Sequence, residues 1–133
     1  RVSTLFSEGS DIAHITSDEV FADKDKYYIM NYIRRDKYED GHISRAIRNK
    51  PQATLGIVTE MSTIPQDRES IVYCGTGHTS EFVTAYLRLF GYDAHTLVYG
   101  NNAFMYDKMM EGRETLSYKP FTEEEIMGFE YVQ

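Results

Sequence analysis

A chain of 133 residues is of single-domain size and long enough to bury a core without disulfide or metal staples. With 21 acidic against 14 basic side chains, a formal net charge of −7, it holds no basic run to displace counterions, which argues against DNA or RNA as a partner. Its single cysteine excludes an internal disulfide and any thiolate-cluster metal site, and no apolar stretch approaches the about 18 residues of a membrane span.

In chain order, Ile15-Thr16-Ser17-Asp18-Glu19-Val20 reads as a helix start, with a hydroxyl cap and early acids. Lys26-Tyr27-Tyr28-Ile29-Met30-Asn31-Tyr32-Ile33 is apolar and aromatic enough for a buried strand. The charged stretch Arg34 to Asp40 is a surface turn or short helix, and Gly41 to Ile47 returns to the core. Pro51 suits the first turn of a further helix. Ser70 to Tyr73 is a short strand. Beyond it Phe82, Val83, Tyr86, Leu87 and Phe90 recur at three- and four-residue spacing as one apolar helical stripe, and Gly91 stops it. Ala94 to Tyr99 alternates as another strand, and Asn102 to Met110 resembles a last helix.

Strands alternating with helices predict an α/β fold with a mainly parallel, doubly wound central sheet flanked by helices on both faces. The expected domain spans residues 10–112. Residues 113–133 form a C-terminal extension in which Thr122-Glu123-Glu124-Glu125 has a capping-box pattern ahead of Ile126, Met127 and Phe129. That predicts a terminal helix packed on the domain, with a linker as the alternative.

Cys74 is placed where a strand should end and a helix begin, within Ile71-Val72-Tyr73-Cys74-Gly75-Thr76-Gly77-His78-Thr79-Ser80. Backbone N–H groups and the positive end of a helix dipole both stabilise a thiolate, the reactive form of cysteine. Gly75 and Gly77 let the backbone curl so that several N–H groups face one anionic sulfur. Thr76, Thr79 and Ser80 offer hydroxyls that either bind that sulfur or cap the helix, and His78 either pairs with the thiolate or faces solvent. A buried, inert cysteine is the competing reading. His14, His42, His78 and His95 show no pair at helical ligand spacing, so no metal site is expected.

Two separated segments together resemble the rhodanese-like domain family. The first runs Met30-Asn31-Tyr32-Ile33 through Tyr38-Glu39-Asp40-Gly41-His42-Ile43-Ser44-Arg45-Ala46-Ile47, similar to the family's strand, charged turn and Gly-His-Ile signature. The second is Val72 to Ser80, followed by Leu87, Gly91-Tyr92 and Val98-Tyr99-Gly100. The resemblance extends from about Ile15 to Met110. It implies a sulfurtransferase fold, in which Cys74 would take sulfane sulfur from a small-molecule or protein persulfide donor and pass it to a thiol or cyanide. No cofactor is implied, and neither compartment nor oligomeric state is assigned. The Arg1 start fits a cytoplasmic protein or one exported in a bacterium after a leader is removed.

Departures sharpen the expectation. Thr79 stands where many active members carry a cation, Asn31-Tyr32-Ile33 where a strand often ends in Asp-x-Arg, and Gly100-Asn101-Asn102-Ala103-Phe104 where paired glycines and a later Trp are usual. Without the loop cation, doubly charged thiosulfate is a poor donor, unless Arg34, Arg35 or Arg45 replaces that charge. A non-catalytic binding or persulfide-storage module on the same fold is the alternative function. Dual-specificity phosphatase chemistry, which resembles a branch of this fold, needs an Arg where Ser80 stands, and a hydroxyl cannot clamp phosphate in a fork. Arg88 lies too far into the helix to serve.

Overall fold

The computed structural model describes residues 13–50, 60–111 and 127–133. The helix expected after Pro51 and the capping box at Thr122 lie outside the described residues. Five strands form one sheet in the order β1-β5-β4-β2-β3: β1 (His14–Ile15), β2 (Tyr28–Asn31), β3 (Ile47–Arg48), β4 (Ser70–Tyr73) and β5 (Ala94–Leu97). All four pairings are parallel, with Met30 opposite Ile47 and Val72, and Val72 opposite Thr96.

Parallel strands need crossovers, and helices supply them on both faces. The period-two alternation sends Ile29, Ile71, Tyr73 and Leu97 to one face, where Val20 of helix α1 (Ser17–Ala22) and Phe104 join them. It sends Met30, Val72 and Ala94 to the other, against Val83 and Leu87 of helix α3 (His78–Leu89). Leu87 is fully buried, which contributes about 1.5–3 kcal/mol. Among the described residues, the other two α-helices are α2 (Arg35–Asp40) and α4 (Tyr106–Glu111).

Helix α1 starts where expected. The Thr16 hydroxyl accepts from the Glu19 N–H at 3.4 Å, and the Glu19 carboxylate accepts from the Thr16 N–H at 2.9 Å. These Thr16 contacts, the backbone one first, hold the Glu19 carboxyl below its usual range. A group with a lowered folded pKa stabilises above its unfolded pKa and loses that contribution as pH falls through the lowered value. Thr16→Ala is therefore expected to cost about 1 kcal/mol in urea melts at neutral pH. The difference between variant and parent should shrink on acidification through the carboxylate range.

Four local expectations are corrected. The stripe on α3 is Ser80, Val83, Thr84 and Leu87, the i, i+3, i+4, i+7 set, while Phe82 is 80% exposed and Phe90 39%. Two small hydroxyl side chains thus lie on the buried face where the aromatic ones were expected, and Thr96 of β5 donates to Thr84 at 2.7 Å. Strand β5 ends at Leu97 because Tyr99 takes a left-handed conformation, φ 63°, that turns the chain. The last helix is split into a 3-10 turn, Gly100–Ala103, and α4. Met127 to Gln133 are not helical, and His42 and Val132 exchange both backbone hydrogen bonds at 2.8 Å in an isolated antiparallel bridge.

Candidate active site

Strand β4 lies at the middle of the sheet with all four residues buried, so the residue that follows it emerges at the carboxyl edge, where open α/β sheets bind ligands. That residue is Cys74, itself only 5% exposed. Gly77 takes a left-handed backbone, φ 97°, and serves as the N-cap of α3. Its N–H is thereby aimed at the Cys74 Sγ, 3.2 Å away. The thiol in turn donates to the Ser80 Oγ at 3.8 Å, and the Ser80 hydroxyl donates to the Gly77 carbonyl at 2.7 Å. Cys74, Gly77 and Ser80 thus close a small ring around the sulfur at the start of a 12-residue helix. An anion there gains about 0.3–1 kcal/mol from the helix dipole, and more where it is partly buried.

The structure separates the seven loop residues singled out from the sequence. Gly77 and Ser80 are drawn to Cys74. Thr76 and Gly75 are half-buried, and His78 and Thr79 are exposed on the first turn of α3. Gly75 does not need to be glycine: its φ is not positive, and a Cβ there would meet only the Ile33 Cδ1 at 3.8 Å. The arginines that were candidates to replace a loop cation face carboxylates instead. Arg34 pairs with Asp36 at 3.0 Å, Arg35 with Glu39 at 3.4 Å, and Arg45 with Asp25.

A second support for the loop was not singled out from the sequence. The 3-10 turn after β5 presents the Asn101 N–H to the Cys74 carbonyl at 2.9 Å and the Asn102 N–H to the Gly75 carbonyl at 3.2 Å. Gly100 makes this approach possible: a Cβ on it would fall 2.2 Å from the Cys74 carbonyl oxygen. The Val98-Tyr99-Gly100 segment was visible as part of a pattern, but its contact with the loop was not. Beneath the site, the Tyr73 hydroxyl accepts from the Ile43 N–H at 3.0 Å, and burial pushes that phenol's pKa well up. His42 Nδ1 lies 2.8 Å from the Tyr38 carbonyl and its ring stacks on Tyr38, so it shapes the turn before Ile43.

Among the described residues, one trio has metal-ligand chemistry, Glu69, Asp93 and His95. It lies at the amino ends of β4 and β5, away from Cys74. His95 Nε2 is 3.0 Å from Asp93 and 3.2 Å from Glu69, and Lys26 reaches Glu69 at 3.6 Å, so the trio's charges already have partners.

The family model described as rhodanese-like domain matches residues 21–107. The chain belongs to the rhodanese-like domain family. No curated protein matches the sequence. Among solved structures, the rhodanese-related protein of Thermoplasma volcanium superposes with a TM-score of 0.63 at 16% identity, over 71% of this chain and 91% of that one. The rhodanese-like domain of an Anabaena sp. protein gives 0.59 at 18% identity, over 91% of this chain and 96% of that one. A NAD-dependent persulfide reductase from A. fulgidus gives 0.56 at 21% identity, and here the match spans 75% of this chain but only 17% of the reductase. These likenesses establish a rhodanese-like fold, with Cys74 at the carboxyl edge of its central strand.

Proposed function

We propose that this rhodanese-like domain carries sulfane sulfur as a persulfide on Cys74. The observation that carries the reading is the Gly77 N–H donating to the Cys74 Sγ at the start of α3, because donor and dipole favour an anionic sulfur before and after loading. The Cys74 thiolate attacks the outer sulfur of a donor R–S–SH. A new S–S bond forms to Cys74, the old one breaks, and its electron pair leaves as R–S⁻. An acceptor thiolate or cyanide then attacks the terminal sulfur and releases the Cys74 thiolate, so the two steps are redox-neutral overall. Once Cys74 has lost its proton, it no longer donates to Ser80, whose hydroxyl is then able to turn its proton toward sulfur.

The donor is a neutral or low-charge persulfide, of low molecular weight or on another protein, rather than thiosulfate. Thr79 leaves the loop without its own cation, and Arg34, Arg35 and Arg45 face carboxylates. A structural neighbour whose name describes a persulfide reductase is consistent with this donor class. The 5% exposure of Cys74 favours a second reading, a persulfide-storage or binding module without turnover.

Intact mass after incubation with thiosulfate and, separately, with glutathione persulfide tests both. A gain of one sulfur, about 32 Da, with the persulfide and little or none with thiosulfate is the expected result. Equal or better loading from thiosulfate would sink the donor assignment. Loading without release to a thiol or cyanide would favour storage.

A further inference from the structure

We propose that the C-terminal segment, residues 127–132, is a clip that positions the Cys74 loop and restricts access to its sulfur. The argument starts at the loop's own support. The carbonyls of Cys74 and Gly75 are held by the N–H groups of Asn101 and Asn102, so the loop stays closed only while the 3-10 turn Gly100–Ala103 stays in place. That turn is held from its far side by the segment: the Met127 N–H donates to the Ala103 carbonyl at 2.9 Å.

The segment's other anchors flank the same turn. Tyr131 lies against Phe104, ring centroids 6.3 Å apart. It is also packed so tightly over Gly41 that a Cβ there would fall 2.8 Å from its ring and 2.7 Å from the Met105 Cε. Phe129 stacks on Phe21 at 4.3 Å, and Val132 is tied to His42 by two backbone bonds. Loops without such buttressing open locally at low cost, and a sulfur 5% exposed reacts with a reagent mainly through such openings. Releasing the clip therefore raises the frequency of opening at Cys74 more than it lowers the stability of the sheet.

The inference takes its functional meaning from the sulfur-carrying reading, but its test reads thiol access and needs no transfer. Iodoacetamide alkylation of Cys74 is followed by mass in the full chain for Tyr131→Ala and for the milder Phe129→Leu, which stands in if the first does not fold. The control is Ile64→Ala, a buried residue of the opposite core layer. Both clip variants are expected to alkylate about tenfold faster than the parent. They should also lose hydrogen-exchange protection over residues 74–80 while β2 keeps its own. Alkylation no faster than in Ile64→Ala, after allowing for each variant's loss of urea midpoint, would overturn the proposal. Faster alkylation without any sulfur loading would leave the clip standing and remove the sulfur-carrying reading instead.

Discussion

Replacing Gly100 with alanine is expected to destabilise the domain by about 3 kcal/mol and to slow persulfide loading of Cys74 by a larger factor than the stability loss alone explains. The new Cβ would fall 2.2 Å from the Cys74 carbonyl oxygen and 3.0 Å from its carbonyl carbon. Both neighbours are backbone, so no side chain can swing aside to make room. Gly100 also has φ 55°, in the left-handed region that penalises an L side chain. Relief must come from parting the 3-10 turn from the loop, which breaks the Asn101 and Asn102 hydrogen bonds that hold Cys74 and Gly75. Urea melts and the mass-gain assay check the two halves separately. Gly75→Ala is the companion variant: with 3.8 Å of clearance it should change stability by less than about 0.5 kcal/mol. A Gly100→Ala protein that melts and loads like the parent would mean the turn does not press on the loop in solution.

The second large effect is on chemistry rather than stability. Cys74→Ser is expected to abolish the one-sulfur mass gain, since this chain has no other cysteine to carry it. Its unfolding free energy from urea melts should fall by no more than about 1 kcal/mol. Serine is nearly isosteric, and its oxygen can accept the Gly77 N–H and donate to Ser80 as the thiol does. A one-sulfur gain that survives this substitution would eliminate the covalent intermediate. A collapse of stability would instead show that the buried thiol is needed for packing.

Much of the site was legible because its signals are local. A short β-branched run ending at Tyr73, one cysteine, Gly77 and a following helical pattern place the sulfur at a strand-to-helix junction, and the structure puts it there. The start of α1 is equally local: a hydroxyl cap and early acids mark it, and the structure shows that Thr16 and Glu19 form a full capping box there. Strand β1 was missed because His14–Ile15 is two residues long and has no period of its own; it exists only by pairing with β5. The face of α3 was misjudged because hydrophobicity favoured Phe82 over Ser80 and Thr84. Burial there is decided by which residues face β4 and β5, and a hydroxyl pair between Thr84 and Thr96 suits that contact.

By itself the sequence determined the fold class, the order of the main elements, the turn around His42 and the residue most suited to covalent chemistry. Each follows from periodicity, capping or residue type within a few neighbours along the chain. Only the tertiary structure decided which loop residues reach the sulfur, that Gly100 rather than Gly75 must lack a side chain, and that Met127 to Val132 close over the turn behind Cys74. Those are contacts between segments distant in sequence. They are set by how packed elements meet, and no local pattern of residues encodes that meeting.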